Sequence, residues 1–350
     1  MTPPLLDTGH NPLFAHAMNA APHSVLVIGC GGIGERHLRC FQKTGRARVA
    51  ACDADTGRRE RMAATYGVPE VADANEAITS GDVTAVVICT PAHTHVPLAR
   101  AALAAGRHVL IEKPLSTSLD GVAELITARN RTGRQVAVAY VYRVFPFLVA
   151  ARDFIQRGEF GPVREVTAVS GQCYPAFRPD YRQIYYRDRA TGGGAIQDAI
   201  THVVNWVESV IGPADRLTCD CSRQVLEGVN VEDTVHITAR HGAALASYAL
   251  NQFQAPNENV IQFNAAGGSV RIELHRQRWG KFAAGAADWT WHDAPVPERD
   301  SHFIAQANAF LDQIEGHGAT LCSLEDAAQT LRFNLAALAS AETGTRVEVR

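Results

Sequence analysis

One segment narrows the possible folds more than any other: Gly29-Cys30-Gly31-Gly32-Ile33-Gly34, placed directly after the apolar run Val25-Leu26-Val27-Ile28 and directly before a helical stretch reaching about Lys43. The G-x-G-x-x-G spacing has a physical basis. Its first glycine permits a tight turn and its second lets main chain come close to a pyrophosphate. The third lets the helix pack on the strand while the first N–H groups of that helix face the anion. A second apolar run, Arg48 to Asp53, ends in a carboxylate 19 positions after Gly34, where it can accept hydrogen bonds from an adenosine ribose diol. A 2′-phosphate would meet like charge there, so NAD is expected over NADP, although Arg58 and Arg59 lie just beyond and could fold back on a phosphate. A glycine-rich turn without a ligand is the plain alternative.

The alternation begun by this loop continues. Helical Arg58 to Tyr66, apolar Ala85 to Cys89, helical Val96 to Ala105, apolar Val109 to Ile111, helical Gly121 to Arg131 and apolar Val136 to Val141 follow in turn. Short apolar strands separated by helices imply crossover connections and a doubly wound parallel sheet, α/β in class, over residues 23–143. Residues 1–22 read as an N-terminal extension. After a helix at Leu148 to Gln156 the texture changes to stretches that alternate polar and apolar residues, which is how a sheet with one wet face reads. Candidate strands are Val163 to Cys173, Arg216 to Val225, Thr234 to Arg240, Leu245 to Phe253, Asn259 to Ala265 and Val270 to His275. One helix, Gly194 to Ile211, interrupts them, and helices His302 to Ile314 and Leu324 to Ala341 close the chain. Residues 144–350 are therefore expected to form an α+β domain on a mostly antiparallel open sheet.

Composition excludes some partners. Lys and Arg total 33 against 36 Asp and Glu, a net charge of −3, so no positive field invites nucleic acid or an anionic membrane surface. No apolar run approaches the ~18 residues needed to span a bilayer. The eight cysteines sit mostly in strand-like apolar runs and read as small buried hydrophobes of a reduced, cytoplasmic protein. Cys219 and Cys221 have no second pair behind them, so no metal site is expected.

Three further groups can carry chemistry. Glu112-Lys113-Pro114 ends the apolar run Val109 to Ile111, and proline pushes Lys113 into extended backbone at the carboxyl edge of a parallel sheet, where ligands of open α/β sheets bind. Its ammonium can point at a reacting oxygen; a surface lysine at a strand end is the bland alternative. Thr90, Pro91, His93 and His95 occupy the equivalent edge after the preceding strand and, with Glu112, are expected to line the cofactor. A helix-capping turn explains the Thr90 to His95 segment nearly as well. In the second half, Asp198 and His202 lie i and i+4 after Gly192-Gly193-Gly194. A carboxylate beside an imidazole fixes its tautomer and suits proton transfer, though an amphipathic helix would show the same polar stripe.

Glycine loop, Glu-Lys-Pro and Gly-Gly-Gly…Asp-x-x-x-His, in that order, resemble the glucose-fructose oxidoreductase and inositol dehydrogenase (Gfo/Idh/MocA) family. His37, Thr90-Pro91, Arg143 and Ser323-Leu324-Glu325-Asp326-Ala327 fit the resemblance. It implies hydride transfer between a secondary alcohol of a sugar, sugar derivative or polyol and NAD(P). Lys113 would bind the reacting oxygen, and Asp198 with His202 would form the acid/base pair. It also implies a homodimer or homotetramer built through the C-terminal sheet. Arg143, Tyr181, Arg182 and Tyr186, with Arg178 and Tyr185, are expected to line the substrate end of the cleft; for the tyrosine and arginine segment a plain surface loop is the alternative. A hydrolase that uses transient oxidation and a sensor without chemistry are the alternatives that the resemblance leaves open.

Overall fold

A computed structural model describes residues 23–318 and 321–350; the expected N-terminal extension lies outside the described residues. The first sheet comprises β1 (His23–Ile28), β2 (Ala47–Cys52), β3 (Glu70–Val71), β4 (Ala85–Ile88), β5 (His108–Ile111) and β6 (Val136–Val138). All pairings are parallel, in the order β3-β2-β1-β4-β5-β6. Every residue of β1 and β4 is buried, which is why these strands read as unbroken apolar runs: helices cover both faces. The connecting helices are α1 (Gly32–Lys43), α2 (Thr56–Tyr66), α3 (Ala74–Thr79), α4 (His95–Ala104) and α5 (Val122–Thr132). Too short to show a period, β3 and α3 left no signal in the sequence pattern.

After α6 (Pro146–Gln156) come β7 (Val163–Cys173), the short α7 (Tyr174–Phe177), α8 (Thr201–Ile211), β8 (Arg216–Ser222), β9 (Thr234–His241), β10 (Ala244–Asn251), β11 (Phe253–Ala265), β12 (Gly268–Glu273), β13 (Arg278–Ala283) and β14 (Thr290–Asp293). With β15 (Val347–Glu348) they form a nine-stranded sheet ordered β14-β13-β12-β11-β7-β10-β9-β8-β15. Only the central β10–β7 pair is parallel. Along β9, Val235, Ile237 and Ala239 are buried while His236 and Thr238 are exposed, the alternation expected of a sheet with one covered face.

Two expectations need correction. The helix read from Gly194 to Ile211 is two structures, a wide π-type turn at Ala195–Ile200 running into α8. The closing helices, α9 (Ser301–Ile314) and α10 (Leu324–Thr343), also return to the first sheet. Ala307, Phe310 and Leu311 of α9 join the core around α1 and β1, while Leu324, Ala327, Ala328 and Leu331 of α10 join the core on the opposite face. Further along α10, Phe333, Ala336 and Ala337 belong to the core under the second sheet. One helix thus serves two cores and fixes the carboxyl edge of the first sheet against the second layer.

Candidate active site

The glycine loop is shaped by contact on one side and open space on the other. Gly29 has φ +95°, and a Cβ there would stand 2.7 Å from the Cys89 carbonyl. At Gly34 a Cβ would lie 1.7 Å from the Gly29 oxygen, so helix and strand touch only because that position is glycine. Among the described residues, Gly31 and Gly32 have nothing within 4 Å of where a Cβ would stand, and Gly31, the cap residue before α1, offers no side chain to its first N–H groups. An uncapped helix start beside an open backbone cradle fits a dinucleotide pyrophosphate. Cys30 donates its N–H to Asp53 Oδ2 at 2.7 Å, and Asp55 donates to Oδ1 at 2.8 Å, pinning the carboxylate beside that cradle. Arg59 is drawn toward Glu70 at 3.1 Å, whereas Arg58 is half exposed and only 3.9 Å-paired with Asp55.

Lys113, from the end of β5, crosses to the second half of the chain. Its Nζ donates to the Asp198 main-chain oxygen at 2.9 Å and to Asp198 Oδ1 at 2.7 Å. Tyr185 donates its hydroxyl to the same Oδ1 at 2.8 Å. The triple glycine makes this approach possible. A Cβ on Gly192 would stand 2.9 Å from Ala92 Cβ, and one on Gly193 would stand 2.1 Å from the Tyr186 oxygen. Burial pushes the Asp198 carboxyl up, but the Lys113 charge and the two hydrogen bonds outweigh it and hold it below the usual carboxylate range. Burial likewise raises the Tyr185 phenol, as does the Asp198 charge beside it, so the phenol stays a donor.

His202 does not pair with Asp198 as the i, i+4 spacing suggested. The carboxylate is turned to Lys113 and Tyr185, while His202 Nδ1 is buried without a hydrogen-bond partner among the described residues. An ammonium 2.7 Å away is the stronger partner, and the wide turn changes the register on which the helical spacing relied. The ring lies against Tyr142 at 5.2 Å and Tyr140 at 5.9 Å between centroids. Burial, followed by the Lys113 charge, lowers its pKa to about 3, so His202 is neutral at physiological pH.

Several residues expected at the cofactor or substrate already have protein partners. His95 is buried, its ring nitrogens 3.0 Å from the Pro114 oxygen and 2.8 Å from the Thr90 oxygen, and so it ties the two edge loops together. Glu112 accepts His37 Nε2 at 2.7 Å and the Lys113 N–H at 3.0 Å, linking α1 to the lysine. Burial raises the Glu112 carboxyl, but His37 outweighs it and the balance is a lowered value. Thr90 Oγ1 pairs with Thr94 Oγ1 at 2.6 Å, Pro91 is exposed, and His93 lines the groove between α4 and α5. Arg143 is committed to Asn205 Oδ1 at 2.9 Å and Asp326 at 3.6 Å, behind α8. Tyr181 and Tyr186 are buried with Tyr174, Leu226, Val229 and Val231 in a small separate core, and Arg182 stacks on Tyr181 and donates to the Glu227 oxygen. Of the tyrosine and arginine segment, Tyr185 is the residue that reaches Asp198.

Residues 23–140 match a Gfo/Idh/MocA family model described as "Oxidoreductase family, NAD-binding Rossmann fold", and residues 148–278 match the "GFO/IDH/MocA C-terminal domain". The chain is 35% identical over 275 residues to "Inositol 2-dehydrogenase 1" of Saccharopolyspora erythraea, covering 73% of this chain and 80% of that one. It is 25% identical over 328 residues to "Inositol 2-dehydrogenase" of Rhizobium meliloti, covering 91% and 95%. In fold it is similar to a levoglucosan dehydrogenase solved with NADH and levoglucosan, at TM-score 0.84 and 21% identity over 93% of this chain and 99% of that one.

Proposed function

The chain belongs to the Gfo/Idh/MocA oxidoreductase family, and we propose that it is an NAD-dependent dehydrogenase that oxidises a secondary alcohol of a ring polyol, sugar or sugar derivative. The observation that carries this reading is the junction of Lys113 with Asp198, 85 positions apart in sequence and 2.7 Å apart in space, at the carboxyl edge of the first sheet. Bound NAD would supply a hydride acceptor there, held by Gly29 to Gly34 and Asp53.

The protein's own groups hold the alcohol. An ammonium has three donors; two go to Asp198, and the third is left for the substrate oxygen. Asp198 therefore orients the lysine rather than the imidazole. His202, unprotonated near neutrality, accepts the hydroxyl proton. A weak base suffices because a hydroxyl becomes strongly acidic as hydride leaves its carbon. Lys113 meanwhile stabilises the negative charge that builds on the oxygen as the proton departs. Tyr185, 39% exposed, offers a stacking and hydrogen-bonding surface beside the pair.

The hydrolase and sensor alternatives have no support among the relatives named above. Assembly through the open sheet remains our reading, supported by Val169 and Leu245, 49% and 54% exposed on one face of the adjacent strands β7 and β10. No described helix is long and apolar enough to cross a membrane, and the eight free cysteines support a reducing compartment. The deciding experiment is a scan of cyclic polyols, pyranoses and anhydrosugars with NAD, read by NADH absorbance. Net NADH with at least one class is expected; glycoside cleavage without NADH would replace this reading with the hydrolase.

A further inference from the structure

The wide turn at Ala195–Ile200 is held by a residue that neither motif nor spacing singles out. Glu232 is 4% exposed, and its Oε1 accepts the Ile196 N–H at 2.9 Å. Its main-chain oxygen accepts the Ala195 N–H at 3.0 Å, so one residue satisfies two of the first N–H groups of the turn. The fit leaves no slack: a Cβ on Gly194, which has φ +96°, would stand 2.5 Å from the Glu232 carboxylate. The other oxygen, Oε2, makes no hydrogen bond among the described residues and has Arg189 at 3.5 Å. Arg189 in turn accepts Gln197 Nε2 on its main-chain oxygen at 3.0 Å.

What the turn presents is the Asp198 main chain. Where a π-type turn meets an α-helix, the hydrogen-bond step changes from five residues to four and a carbonyl is released from the ladder. The Asp198 carbonyl accepts the Lys113 ammonium at 2.9 Å, beside the carboxylate contact at 2.7 Å. We propose that Glu232 is a positioning residue: a buried cap whose reach keeps the wide turn in register, so that Asp198 offers both its carboxylate and its carbonyl to Lys113. The consequence for turnover rests on the reading of Lys113 as the group that holds the alcohol oxygen; the consequence for the lysine itself does not.

The chain contains three lysines, Lys43, Lys113 and Lys281, so reductive methylation of the full-length protein followed by peptide mass spectrometry reports Lys113 against two internal standards. In Glu232→Ala, Lys113 is methylated several-fold faster relative to Lys43. Its kcat falls about 10- to 100-fold while the NADH dissociation constant stays unchanged, because the reacting group is displaced and the glycine loop is not. Glu232→Gln, whose amide oxygen reaches Ile196, returns Lys113 protection and kcat toward wild type. Glu232→Asp keeps the charge but lacks the reach, and behaves like Glu232→Ala. If the alanine variant does not fold, the aspartate and glutamine variants decide the matter, and equal Lys113 labelling in those two overturns the proposal. A wild-type protein that forms no NADH from any polyol or sugar refutes the dehydrogenase reading alone, since the labelling still reports on Glu232.

Discussion

Lys113 and Asp198 have side chains only 14% and 9% exposed, so each is costly to leave without the other. Lys113→Ala is expected to cut kcat by about 10²- to 10³-fold while NADH still binds, as fluorescence titration would show; unchanged turnover would remove the lysine from the chemistry. The same substitution strands a buried carboxylate and costs about 3–5 kcal/mol in denaturant unfolding, much of which Lys113→Ala with Asp198→Asn recovers. At the other end of the cleft, Asp53→Ala weakens NAD far more than NADP, since the carboxylate that serves a ribose diol repels a 2′-phosphate. Equal weakening would show that Asp53 does not face the ribose. The placement of Lys113 at the sheet edge was legible because proline and a strand end mark its position. The commitment of Arg143 to Asn205 and the burial of Tyr186 were not legible, because a side chain's partner is a matter of distance and not of type.

Among the elements, α10 has the most to lose from a poor start. Ser323 caps it by accepting the Asp326 N–H at 3.0 Å, and Glu325 and Asp326 place negative charge in its first turn. Ser323→Ala should cost about 1 kcal/mol in a denaturant titration, and the transition should remain single because the helix belongs to cores on both sides. Two separate transitions would mean that α10 does not couple the two layers. Its helical period was readable, as was that of α9. The hairpin β13–β14 was not, because its pattern is disguised: Lys281 lies on the covered face with its ammonium 4.8 Å over the Phe154 ring, and Gly280 makes room for Trp291. A charged residue on the inner face defeats a rule that assigns charge to solvent. The wide turn before α8 was equally hidden, since no local residue pattern marks it: its first N–H groups are capped by Glu232, far along the chain.

For the whole molecule, buried and half-buried imidazoles set the response to acid. Burial first, with the Lys113 and Arg134 charges respectively, lowers His202 to about 3 and His108 to about 4, and His95, His241 and His302 are lowered too, burial being the largest cause in each. These groups bind fewer protons folded than unfolded. The stability they confer is full above about 6.5, the unfolded imidazole value, and is lost as pH falls through their folded values. Glu208, which burial raises to about 7, works the other way, gaining stability as pH drops below that value; Glu232, also raised by burial, contributes with the same sign. Five imidazoles outnumber two carboxyls, so Tm should fall steadily from pH 7 to pH 5; a flat or rising Tm would refute this balance. Leu245→Glu tests assembly at the same scale: size-exclusion chromatography should show a smaller species if the open face is covered by a second copy.

The succession of the longer strands and helices, the two sheet types, the glycine cradle and the acid beside it are legible in the sequence alone. Each is local, set by apolar period, by positions where only glycine fits and by the backbone preference that proline imposes on its neighbour. Tertiary structure decided the rest: that Asp198 turns to Lys113 and Tyr185 instead of His202, that His95 and Glu112 brace the cleft, and that Glu232 caps the turn 36 positions before it. Those pairings join residues far apart in the chain, and the choice among candidate partners falls to whichever donor and acceptor the packed backbone brings within about 3 Å.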